Sequence, residues 1–174
     1  MSTTAAAPQP RPKFSAGSDE SVLSQKLQTL LAASDGDGDQ IVSGEAGNEK
    51  GRWTLIPSGE GMERSFKFKT FAKTWDFMTA VALQCKLKNH HPEWSNVYNT
   101  TFIRWTTHSP QGLSAQDVEL ASICDSLAKD FGEVSEKTSG DSNNSNSCNM
   151  GRQLADTVAS SAGDCCTPKP KGKA

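Results

Sequence analysis

Between Met62 and Lys88 the hydrophobic pattern changes period once, across a single residue. Met62, Arg64, Phe66 and Phe68 alternate with Glu63, Ser65, Lys67 and Lys69, and a period of two marks a strand with one buried face. From Phe71 the repeat lengthens. Phe71, Trp75, Met78, Val81, Ala82 and Cys85 fall on one stripe, which predicts a helix running to about Lys88 with that stripe in the core. A strand and a helix that each carry one apolar face, joined end to end, have to bury those faces in a layered domain.

The flanking patterns extend this unit. Upstream, Val22, Leu23, Leu27, Leu30 and Leu31 form one apolar helical face, with Ser18 as the expected cap. Trp53 to Ile56 is a short strand-like run, and Pro57-Ser58-Gly59-Glu60-Gly61 is a turn, so this run and 62–69 predict a hairpin. Downstream, Pro92 ends the long helix near Asn89 or His90. Trp94, Val97 and Tyr98 begin extended structure. Thr101 to His108 reads as one strand, with Ile103 and Trp105 on one face and Phe102, Arg104, Thr106 and His108 on the other. Ser114-Ala115-Gln116-Asp117 resembles a capping box, followed by Leu120, Cys124, Leu127 and Phe131 at helical spacing. The order is helix, hairpin, helix, two strands, helix. It predicts a two-layer α+β domain: a four-stranded antiparallel sheet with three helices on one face.

A length of 174 residues suits one such domain with tails. Residues 1–18 are rich in Pro, Ala, Ser and Thr and read as a disordered tail; the domain occupies 19–131. Residues 132–174 read as a low-complexity, mostly disordered tail with a transient helix near Arg152 to Val158. The Gly- and acid-rich stretch at about 35–50 reads as a loop insertion. Its Asp35-Gly36-Asp37-Gly38-Asp39 start resembles a calcium loop, but Gln40 and Ala46 stand where Gly and Glu are needed.

Charge and hydropathy narrow the function classes. A net charge of -2 gives no basic footprint for nucleic acid, and Lys169, Lys171 and Lys173 read as a solvated tail. No apolar run spans a membrane, and Met1 to Gly17 has no signal-peptide core, although Arg11, Lys13 and the lack of acids share traits with transit peptides. Cys85, Cys124, Cys148, Cys165 and Cys166 show no CxxC spacing and read as free thiols, which fits a cytoplasmic setting.

All three histidines, His90, His91 and His108, fall at ends of predicted elements, where functional side chains tend to lie. Histidine exchanges protons near neutral pH, so the group suits acid-base work. A zinc set of His90, His108 and Asp117 is the rival reading, without HxH or HxxxH spacing to support it. Asp117 also has a plain structural role as a helix-start residue.

The stretch Asn89-His90-His91-Pro92-Glu93-Trp94-Ser95-Asn96-Val97-Tyr98-Asn99 resembles the signature of the pterin-4a-carbinolamine dehydratases. Phe66 to Phe71 with Trp75-Asp76-Phe77-Met78, and Thr107-His108 with Gly112-Leu113-Ser114 and Asp117, resemble that family in order and spacing over about 19–131. The resemblance implies the fold read above and a homodimer or homotetramer. It implies dehydration of a 4a-hydroxytetrahydropterin to the quinonoid dihydropterin, in tetrahydrobiopterin recycling, with no metal or organic cofactor. It implies His90, His91 and His108 as catalytic residues, and Trp53, Pro92, Asp117 and Asn89 around the pterin. Asn89 and Lys86 depart from family members with Asp and Glu there, and Ser109-Pro110-Gln111 replaces a loop that carries Cys in animal proteins. Some animal members also stabilise a transcription-factor dimer, so an interaction protein is the alternative reading.

Overall fold

A computed structural model of the chain describes residues 10–31, 53–134 and 151–157. Helix α1 is Glu20–Leu30, strands β1 and β2 are Thr54–Leu55 and Met62–Lys67, and helix α2 is Phe71–Lys88. Strands β3 to β6 are Glu93–Val97, Thr100–Trp105, Thr107–His108 and Gln111–Gly112, and helix α3 is Ala115–Phe131. The four-stranded antiparallel sheet that the pattern predicts is present, with the order β1-β2-β4-β3, while β5 and β6 pair separately. The strand expected over Thr101–His108 therefore breaks after Trp105.

The change of period at Thr70 is visible as a cap. Thr70 has extended backbone, and its hydroxyl accepts a hydrogen bond from the Lys73 N–H, which starts α2 three residues after β2 ends. Met62, Phe66 and Phe68 are fully buried, as the alternation requires, and join Ile103, Trp105, Leu23, Leu27, Phe77 and Leu120 in the core. Each such side chain contributes roughly 1.5 to 3 kcal/mol by leaving water. Arg64 shares their face of β2, and its charge is met there by Asp125 and Glu133.

Three expectations change. The inward face of α2 is Thr74, Phe77 and Val81; Phe71 and Trp75 are 52% and 54% exposed and stack on one another. The stripe read from sequence meets the core at Val81 and, half-buried, at Met78 and Cys85; Thr74 can go inward because its hydroxyl bonds to the Thr70 carbonyl. Helix α1 is capped by Asp19, whose carboxylate accepts from the N–H groups of Ser21 and Val22, in place of Ser18.

Residues 10–18, expected to be part of a tail, are held against the domain. Lys13 N–H bonds to the Gly59 carbonyl, and Ser15 N–H and Leu113 N–H exchange bonds across this segment with the Leu113 and Lys13 carbonyls. The crossing needs two glycines. A Cβ on Gly59 would sit 1.9 Å from the Arg11 carbonyl oxygen, and one on Gly112 2.6 Å from Ser15 N. Both glycines also have positive φ, 77° and 132°.

Within the expected C-terminal tail, a helix over 151–157 lies on the sheet. The sheet face away from α1–α3 carries Glu93, Arg104 and Glu63 in register across β3, β4 and β2. This helix packs on that face: Gly151 lies against Phe102 and Ser95, and Ala155 is 5% exposed. The calcium-loop-like and acidic stretch, and Cys148, Cys165 and Cys166, fall outside the described residues. Cys85 and Cys124 are free thiols. Among the described residues no helix is long and apolar enough to cross a membrane.

Candidate active site

Helix α2 ends in a left-handed residue, Asn89, at φ 50° and ψ 41°. Asn89 N–H bonds back to Lys86 O, and His90 N–H to Cys85 O at 3.1 Å. This pair of bonds is the Schellman arrangement, and Asn tolerates the left-handed position better than other side-chain-bearing residues. Asn89 thus has a backbone duty, and it fixes where the next residue starts. Pro92, half-buried, then turns the chain into β3.

His90 is held from two sides. Its Nε2 lies 2.6 Å from Asp117 Oδ1, and its ring stacks on Trp105 with centroids 5.8 Å apart and planes at 17°. Asp117 is fully buried at the start of α3. Its Oδ2 accepts from Thr107 Oγ1 at 2.7 Å, Ser114 Oγ at 2.9 Å and Ser114 N–H at 2.8 Å. The capping bond expected from sequence is therefore present, and the second carboxylate oxygen is left to the histidine. A carboxylate that accepts at Nε2 puts the proton there and makes Nδ1 the basic nitrogen, an orienting role.

The remaining histidines extend the series. His91 stacks beside His90 with centroids 6.5 Å apart, and His108 lies 6.1 Å beyond His91 with planes at 29°. Exposure of the outer side chains rises along it, from 12% for His90 to 40% for His108. His108 stands in β5, whose partner β6 fixes its backbone through the Gln111 pairing. His108 Nε2 is 3.6 Å from Glu93 Oε1, an ion-pair distance. A half-buried, oriented imidazole at one end and an exposed one at the other is an arrangement able to give a proton at one point of a bound molecule and take one at another.

The family described as "Pterin 4 alpha carbinolamine dehydratase" matches residues 39–127. The chain belongs to this family. A protein of Burkholderia pseudomallei (strain 1710b), provisionally named a pterin-4-alpha-carbinolamine dehydratase, is 40% identical over 77 residues, 44% of this chain and 76% of its own length. A protein of the same provisional name from Burkholderia lata is 44% identical over 73 residues, 42% of this chain and 72% of its own length. A crystal structure described as a transcriptional coactivator/pterin dehydratase from Brucella melitensis is 31% identical, with a TM-score of 0.47, covering 63% of this chain and 95% of that one.

In this member of the dehydratase family the structure brings together His90, His91, His108 and Asp117, with Asn89 and Pro92 shaping their approach. It does not bring Trp53 to them as a surface for a flat ring. Trp53 is fully buried, meets Phe66 edge-on at 5.7 Å and donates its indole N–H to Asp125 Oδ1 at 2.9 Å. Both its faces belong to the core. The aromatic residue that does meet a histidine is Trp105, which the strand pattern assigned to the core. Among the described residues no group of three or more His, Cys, Asp and Glu is arranged to hold a metal ion, the set His90, His108 and Asp117 included.

Sequence reasoning missed Thr107, which buttresses Asp117, Glu93, which lies beside His108, and Arg104, which holds Glu93. Thr107 and Glu93 are inside the quoted signature segments, so their position was in view and their partners were not. Arg104 donates to Glu63 at 2.8 Å, to Asp156 at 2.5 Å and to Glu93 at 3.2 Å. Burial alone would lower its pKa; hydrogen bonds to Asp156 and Glu63, with their charges, outweigh that and raise it.

Proposed function

We propose that the chain dehydrates a 4a-hydroxytetrahydropterin to the quinonoid dihydropterin, the step that returns tetrahydrobiopterin to use after aromatic hydroxylation. The observation that carries this reading is the stacked series His90, His91, His108 with Asp117 behind His90. Membership of the dehydratase family supplies the substrate class.

The reaction needs two proton transfers. A protonated group gives a proton to the C4a hydroxyl as the C4a–O bond breaks and water leaves. A base takes the N5 proton, and the electron pair of the N5–H bond completes the C4a–N5 double bond. His90 and His108 serve as the acid and base in this reading, with both directions of assignment open to experiment. His91 lies between them and contacts the substrate. Asp117 orients His90, and Asn89 and Pro92 hold the turn. These transfers need only side chains, so the reading includes no cofactor. Removing a positioned acid or base costs about 10² to 10⁴ in rate. The test is the absorbance decay of freshly made 4a-hydroxytetrahydropterin with chelator present. His90→Ala and His108→Ala, folded by circular dichroism, are expected to lose that factor. Variants as fast as the wild type would overturn the assignment.

A second reading has its own observation. Phe71, Trp75, Leu83 and Leu87 of α2 are 52%, 54%, 55% and 77% exposed, an apolar row of the kind that mediates association. We assign it to a homodimer or homotetramer, and the alternative role as a dimerisation partner of another protein would use the same row. Sedimentation of the wild type and of Trp75→Glu separates them. A wild type that is monomeric at micromolar concentration removes the homo-oligomer.

A further inference from the structure

The helix over 151–157 is tied to the sheet through charged groups that end at His108. Glu63, Arg104 and Glu93 stand directly opposite one another on three neighbouring strands. Glu63 Oε1 takes Arg152 at 2.7 Å, and its Oε2 takes Arg104 Nη2 at 2.8 Å and Nε at 3.0 Å. Arg104 Nη2 also reaches Asp156 at 2.5 Å, so the guanidinium is held between a sheet residue and a helix residue. Its side chain is 10% exposed. The guanidinium is planar and its donors are fixed relative to each other, so holding two of them sets the direction of the third. That third nitrogen, Nη1, points at Glu93 Oε2, 3.2 Å away. The other oxygen of Glu93 is the one beside His108.

The docking is specific in shape as well as charge. Ser95 Oγ donates to the Gly151 carbonyl at 2.6 Å, and a Cβ on Gly151 would lie 3.3 Å from both Phe102 Cβ and Ser95 Oγ. A larger residue would lift the helix and draw Asp156 away from Arg104.

We propose that Glu93 is a positioning residue for His108, and that the helix over 151–157 sets it through Asp156 and Arg104. The inference rests on the dehydratase reading for its effect on rate, though not for its geometry. His108 is the exposed end of the series, and among the described residues its ring meets Glu93 and His91. The C-terminal segment then acts on the site without touching substrate.

The test uses the full chain, labelled with ¹⁵N-histidine, and reads ring resonances and steady-state kinetics together. Glu93→Gln keeps the shape and removes the charge. It is expected to move the His108 ring resonances, leave those of His90 in place, and lower kcat about tenfold with KM little changed, the scale of a misplaced catalytic group. Asp156→Asn is expected to move the same resonances in the same direction by less, with kcat down about twofold, a fraction of that effect. His108 resonances unchanged in folded Glu93→Gln would overturn the proposal. Resonances that move with Glu93→Gln but not with Asp156→Asn would remove the helix from it. Resonances that move as expected in a protein whose wild type does not dehydrate the pterin would keep the positioning and overturn the dehydratase reading.

Discussion

On the helix side of the sheet, Phe66, Ile103 and Trp105 are fully buried among Leu27, Phe77 and Leu120. On the other side of the sheet, Glu63, Arg104 and Glu93 stand in a row, joined by Arg152 and Asp156 of the helix over 151–157. The two faces exclude water by different means. The first does so with apolar side chains from three helices. The second does so with one short helix and a set of paired charges, whose attraction has to offset the cost of taking them out of water. The difference teaches where the site draws its supports. His90, the less exposed end of the histidine series, stacks on Trp105 of the apolar side, and His108 sits beside Glu93 of the charged side.

That contrast can be broken at several strengths. Phe66→Ala should cost about 3 to 5 kcal/mol in urea unfolding, since it empties a fully enclosed site. A loss under about 1 kcal/mol would mean the apolar face is not the main support. Glu63→Gln removes the charge that meets two cations and should cost about 1 to 3 kcal/mol. Arg104 keeps Asp156 and Glu93 as partners in that variant, so the loss should stay below the roughly 3 to 5 kcal/mol typical of a buried charge left with no partner.

Alkaline pH probes the helix side alone. Burial raises the pKa of Cys124 far above its ordinary value of 9.0, and raises that of Cys85 as well. A raised thiol favours the folded state below pH 9.0, where both states keep the proton, and this advantage is lost as pH rises and the unfolded chain ionises. Stability should fall by roughly 1 kcal/mol at about pH 10, and Cys124→Ala should flatten that slope. The smallest effect belongs to the surface. Lys88 and Glu119 pair at 2.6 Å with side chains 36% and 51% exposed, and Lys88→Ala should cost less than about 1 kcal/mol and lose its effect in high salt.

The apolar face was the legible one. Alternation over Met62 to Lys69 is a local signal, and it placed Met62, Phe66 and Phe68 correctly because a strand's two faces are fixed by the backbone. A helix is less constraining. Phe71 and Trp75 fit a stripe as well as Phe77 does, and what decided between them is the packing of α2 against α3 and the sheet. The charged face left no trace of that kind. Arg104 and Asp156 are far apart in the chain, and no periodicity joins them. Residues 10–18 were read as a tail from their prolines, but they are held by backbone hydrogen bonds to Gly59 and Leu113, which any composition can make. The quoted signature named the three histidines and Asp117, and the structure brings these four together. The sequence could not tell that Trp53 is enclosed by the core, because an indole reads alike whether its faces meet a ligand or other side chains.

The account stands or falls on one assay. Freshly generated 4a-hydroxytetrahydropterin is mixed with the purified full chain in the presence of a chelator, and its absorbance decay is compared with the spontaneous rate and with Asp117→Asn. The account predicts that the wild type accelerates the decay and that Asp117→Asn, folded but with His90 no longer oriented, loses about a hundredfold or more of that acceleration. A folded wild type that leaves the decay at its spontaneous rate would contradict it.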